Sequence, residues 1–76
     1  MGRGKTPGVA MTTLTPREQD VLGLLARGVT NERTAELLGI SVHTVKAHGK
    51  SLRLSLGARN TAHAVSLALH ARIIEP

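Results

Sequence analysis

Lys46 and Lys50 stand four residues apart with Ala47 between them, in a stretch from Leu37 to Ile74 that holds no acidic residue. At helical periodicity such a pair shares one face, one turn apart, beside the alanine methyl. Two ammonium groups flanking a methyl, with no carboxylate nearby, suit a polyanion read at close range. Lysine donates to guanine O6 or N7, or to a phosphate, and a small apolar side chain between two lysines can touch a thymine methyl. Lys46, Ala47 and Lys50 are therefore the expected base contacts. Arg53, at the side of the same helix, and Arg59, in the turn after it, are expected on the phosphate backbone. The small polar start Ser41-Val-His-Thr44 leaves backbone N–H groups free to meet a phosphate. An i,i+4 lysine pair by itself is most often a solvated face; the elements around this one distinguish the two readings.

The charge distribution agrees with a polyanion partner. The chain has 76 residues and a net charge of +5. Residues 1–36 carry five bases against four acids, whereas Lys46, Lys50, Arg53, Arg59 and Arg72 follow with no acid before Glu75. A basic, one-sided surface attracts nucleic acid first and an anionic membrane second. No apolar run reaches the roughly 18 residues of a membrane span, and no apolar stretch follows the basic start in the manner of a secretory signal. There is no cysteine and no aromatic residue, so the core must come from Leu, Val, Ile, Ala and Met, without a disulfide or thiolate zinc site. One small domain, with no metal, cofactor or small-molecule ligand and a cytoplasmic (nucleoid) location, is the expectation.

Four helices should carry these residues. Residues 1–13, with three glycines and a proline, read as a flexible N-terminal arm, leaving 14–76 as the domain. Within the arm, Gly2-Arg-Gly-Lys-Thr6 resembles the end of a phosphate-binding loop but lacks the preceding buried strand that such a loop needs. Thr15 as N-cap, Pro16 in the first turn and Glu18 three residues after the cap open the first helix, 16–27, with Leu14 placed to staple it and Gly28 to end it. Thr30 caps a second helix that runs to Leu38, with Ala35 and Leu38 inward and Gly39 as its stop. Ser41 caps the third, to Leu56. With Val45 at zero and 100° per residue, Val42, Gly49, Leu52 and Leu56 fall on its buried stripe, opposite His43, Lys46, Ala47, Lys50 and Leu54. Gly57 ends it, and Asn60 caps a fourth helix, Thr61 to about Arg72. The fold class is all-α, with the second and third helices forming a helix-turn-helix around Gly39-Ile-Ser41.

On these residues the chain resembles the LuxR-type (GerE-type) helix-turn-helix domain. The resemblance runs through Leu14-Thr-Pro-Arg-Glu18, Val21-Leu22, Leu25-Ala-Arg-Gly28, Thr30-Asn31, Ala35, Leu38, Ile40-Ser41, Thr44-Val-Lys-Ala-His48, Leu56-Gly-Ala-Arg-Asn60 and Ala64-Val65, over residues 14–72. It implies a four-helix transcription regulator that binds double-stranded DNA. Positions matching Lys46, Ala47 and Lys50 then face bases, those around Thr44 (here Ser41 and His43) hold phosphates, and the fourth helix forms a homodimer contact. Some positions depart from the family. Thr34 places a hydroxyl where a core isoleucine is expected. Gly49 sits mid-helix at a cost of roughly 1 kcal/mol relative to alanine. Leu54 and Ser55 stand where basic residues are frequent, which implies weaker DNA affinity or a partner over Leu54. Such domains are usually joined to a phosphoreceiver or ligand-binding domain, for which this chain has no room, so it reads as an excised output domain or a short stand-alone regulator.

In the fourth helix Ala62, Val65, Ala68 and Leu69 are expected on one face, leaving His63, Ser66, Leu67, His70 and Ala71 as a second, partly apolar face suited to a homodimer. An enzyme is not expected. His43 and His48 do not share a face, His63 and His70 are too far apart for one zinc ion, and no carboxylate accompanies them. The rival reading is a protein-interaction module on the same scaffold, motivated by Leu54 and Gly49. RNA binding lacks aromatic residues for base stacking.

Overall fold

The computed structural model describes residues 14–74; the expected N-terminal arm lies outside the described residues. Four helices follow one another, α1 (Pro16–Ala26), α2 (Asn31–Leu38), α3 (Val42–Leu56) and α4 (Thr61–His70), with no strand among the described residues. Each begins where a side chain satisfies a free N–H of the first turn. Thr15 Oγ1 accepts the Glu18 N–H at 3.1 Å while Glu18 Oε1 accepts the Thr15 N–H at 3.0 Å, a reciprocal capping box. Thr30 Oγ1 accepts from Arg33 N–H, Ser41 Oγ from Thr44 N–H and Asn60 Oδ1 from His63 N–H.

All four helices close with a bond from the chain just past the end back to a carbonyl five residues earlier: Val29 to Leu24, Ile40 to Ala35, Ala58 to Arg53 and Ile73 to Ala68. This geometry needs a left-handed residue just before the donor. Glycine supplies it three times, and the fourth time Arg72 does, at φ 58°. With no glycine there to mark it, the end of α4 falls two residues before the expected Arg72, at His70.

The core is aliphatic, built from Leu14, Val21, Leu22, Ala35, Val45, Leu52, Leu56, Ala64 and Ala68. Leu14 is drawn into it; the polar Gln19 at the fourth position of α1 offers a staple no apolar partner. Leu38, Ile40 and Val42 pack on the core edge, half-buried. Thr34 does occupy a core position: it is 0% exposed, and its hydroxyl has no hydrogen-bond partner among the described residues.

The rotation of α4 differs from the sequence expectation. Ala64 and Ala68 are the buried pair, Ala62 is exposed, and Leu67 packs against the core. Two alanines one turn apart let the helix backbone come close to its neighbours, so they take the centre of the contact, with Val65 and Leu67 on its flanks. Hydrophobicity alone favours Val65 and Leu69 for that place.

Candidate nucleic-acid interface

Helix α3 packs against each of the other three helices. Its inner stripe, Val45, Gly49, Leu52 and Leu56, is buried. Its outer side is not: His43, Lys46, Ala47 and Lys50 are exposed, and Leu54 is 74% exposed at the end of the same face. The expected base contacts thus share one open surface. Neither lysine has a carboxylate within ion-pair distance among the described residues; the two ion pairs found there, Arg17–Asp20 and Arg33–Glu36, lie within α1 and α2. They engage Asp20 and Glu36 locally, on helices other than α3.

At the start of α3 the Ser41 hydroxyl is engaged with both the Thr44 N–H, at 3.0 Å, and the Thr44 hydroxyl, at 2.9 Å. The N–H groups of Val42 and His43, in the unpaired first turn, remain for an outside acceptor. Ser41 and His43 are exposed and Thr44 is half-buried beside them. Arg53 is half-buried and folds back along α3, its Nη1 only 3.5 Å from where a Gly49 Cβ would stand. The missing side chain of Gly49 opens a groove there, lined by Asn31, Val45, Lys46, Arg53 and Thr61. Arg59 is exposed in the α3–α4 turn.

Two polar devices support this surface without a signal in the periodicity of the sequence. The His63 ring Nδ1 accepts the Arg59 N–H at 3.1 Å, so His63, expected on a dimer face, serves the turn that carries Arg59. The Ser51 hydroxyl donates to Glu18 Oε2 at 2.6 Å, joining α3 to the capping box of α1 across 33 residues of sequence. Glu18 is only 6% exposed. Its burial pushes the carboxyl pKa up, but the hydrogen bonds from Ser51 and Thr15 and the attraction of His48 outweigh this and hold it below its usual 4.5. On α4, Ser66 and His70 are exposed, while Leu67 and Ala71 are half-buried. No group of side chains that could hold a metal ion occurs among the described residues. Nor is any described helix long and apolar enough to cross a membrane.

Residues 12–68 match the family of bacterial regulatory proteins described as the luxR family. The chain belongs to that family. It is 44% identical over 61 residues to the transcriptional regulatory protein MctR of Rhizobium johnstonii, a match that covers 80% of this chain and 28% of MctR. The chain therefore spans under a third of the length of that curated relative. Among solved structures it is similar to the transcription factor GerE, with a TM-score of 0.80 and 27% identity over 83% of this chain and 94% of that one. It is also similar to VqmA of Vibrio cholerae in a complex with ligand and DNA, with a TM-score of 0.75 and 31% identity over the whole of this chain and 33% of VqmA. The four-helix, all-α fold is that of GerE.

Proposed function

We propose that this luxR-family domain binds double-stranded DNA as part of a transcription regulator of the bacterial cytoplasm, laying α3 in the major groove. One observation carries the reading: the exposed stripe of Lys46, Ala47 and Lys50 on a helix whose opposite stripe is core, with no acid among the described residues paired to it. Lys46, Ala47 and Lys50 meet base edges. Ser41, His43 and Thr44, with Arg53 and Arg59 on the flanks, meet phosphates. The presence of DNA in the VqmA complex, a protein that shares the fold at 31% identity, supports the same partner here. Replacing Lys46 and Lys50 together by glutamate is expected to abolish duplex binding in a gel shift while leaving the circular dichroism of the free domain unchanged. Milder changes that leave one phosphate unneutralised, such as Arg59→Ala, should flatten the salt dependence of binding by about 0.9 in log–log slope. Intact duplex affinity in the double glutamate variant overturns the reading.

Pairing of two domains through the outer face of α4 is part of the proposal, with reading helices about one duplex turn, roughly 34 Å, apart. Of the expected dimer residues His63, Ser66, Leu67, His70 and Ala71, Leu67 also packs on the core, so Ser66→Glu is the cleaner probe by light scattering. A second reading, a module that binds another regulator, is favoured by one observation, the 74% exposure of Leu54 on the stripe itself. It predicts no duplex shift and a protein complex that disappears on Leu54→Ser.

A further inference from the structure

We infer that Glu18 is a positioning residue for the reading helix. Its carboxylate, seated in the cap of α1, holds Ser51 of α3 and thereby fixes where Lys46, Ala47 and Lys50 meet a duplex. The inference rests on the DNA reading above for its functional consequence, and on the geometry of two helices for the rest.

Glu18 uses both oxygens. Oε1 accepts the Thr15 N–H at 3.0 Å and Oε2 accepts the Ser51 hydroxyl at 2.6 Å. The second bond is short and has an ionised acceptor, the strong class of hydrogen bond. Among the described residues it is the only side-chain hydrogen bond between two helices; the other bonds made by side chains span three or four residues. The rest of the packing of α3 is aliphatic and contains no aromatic ring. Apolar burial has no direction, so it tolerates a small rotation of one helix on another, which a bond of fixed length and angle does not. Ser51 follows Lys50 directly and lies on the rim of the exposed stripe. His48, one turn before Ser51 on the same side of α3, adds an attraction to the same carboxylate.

The leverage is simple. For a helix of roughly 6 Å radius including side chains, a rotation of about 20° carries the outer surface through about 2 Å. That exceeds the tolerance of a hydrogen bond to a base edge, whereas a phosphate contact made by a long side chain such as that of Arg59 survives it. Release of Ser51 should therefore cost discrimination between sequences more than it costs general attraction to DNA.

The test uses Ser51→Ala and Ser51→Thr, because Ser51 is exposed and neither change disturbs the bond between Glu18 and Thr15. Two properties are measured: backbone amide residual dipolar couplings of the free domain, and affinity for a duplex selected from a random pool compared with the unselected pool. In Ser51→Ala the couplings of α3 should no longer fit the wild-type orientation relative to α1. Affinity for the selected duplex should fall about ten-fold, equivalent to 1.4 kcal/mol, with little change for the pool, and Ser51→Thr should restore both properties. Couplings that superimpose on the wild type overturn the positioning role, as does an equal fall in affinity for both DNAs. If the wild-type domain itself discriminates no duplex, the DNA reading falls, and the couplings alone then decide whether Glu18 orients α3.

Discussion

Thr34→Val exchanges a hydroxyl for a methyl of almost equal volume at a position that is 0% exposed. The Thr34 Oγ1 has no hydrogen-bond partner among the described residues, and a hydroxyl buried in that state costs about 1–3 kcal/mol. Valine and threonine have similar helix propensities, so α2 itself is not weakened, and the added methyl fills the volume that the hydroxyl leaves. The net gain should be about 1.5 kcal/mol, taken toward the low end of that range because neighbouring groups relax. For a domain of this size that corresponds to a rise in Tm of roughly 6–12 °C. Thermal unfolding followed by far-ultraviolet circular dichroism measures it directly. Urea unfolding should show a higher midpoint with an unchanged slope, the mark of a change in stability rather than in compactness. Thr34→Ser is the control: it keeps the hydroxyl, removes a buried methyl and should be less stable than the wild type by about 1 kcal/mol. A Tm for Thr34→Val equal to or below that of the wild type refutes the reasoning, because it would mean that the hydroxyl is satisfied.

Gly49→Ala should stabilise the domain by about 0.5–1 kcal/mol in the same assay, since an added Cβ would meet nothing closer than Arg53 Nη1 at 3.5 Å, an ordinary van der Waals approach. Ser55→Lys should tighten duplex binding and steepen its salt dependence by about 0.9 in slope for one more neutralised phosphate; a titration that shows neither counts against the assigned orientation of α3. Glu18 has a folded-state pKa below its usual 4.5. Its contribution to stability is therefore complete above that usual value and lost as pH falls through the lower folded one. Acid unfolding curves should show this loss in the wild type and a smaller one in Glu18→Gln.

Helix starts and three of the four stops could be read from local chemistry, because a cap acts within three or four residues of its own position. Thr15, Thr30, Ser41 and Asn60 each accept from an N–H three residues ahead, as their types suggest. The end of α4 could not be read this way, since Arg72 adopts a conformation usually marked by glycine. The outer stripe of α3 was legible because its inner stripe is so regular. The facing of α4 was legible only in part: Ala68 and Val65 do lie toward the core, but Ala64 holds its central place through small size, and a hydrophobic pattern weights it below Leu69. The Glu18–Ser51 bond pairs two polar residues 33 positions apart, and no periodicity announces such a pair.

That α3 touches all three of its neighbours has an evolutionary consequence. The same fifteen residues serve as keystone inside and as template outside, so a paralogue cannot acquire a new target by turning a different face of the helix outward without unsettling the entire interior. Divergence is channelled into side-chain exchange along the outward stripe, where a substitution leaves the architecture untouched. New preferences should thus arise as discrete swaps at a few positions, a small alphabet written on an invariant backbone.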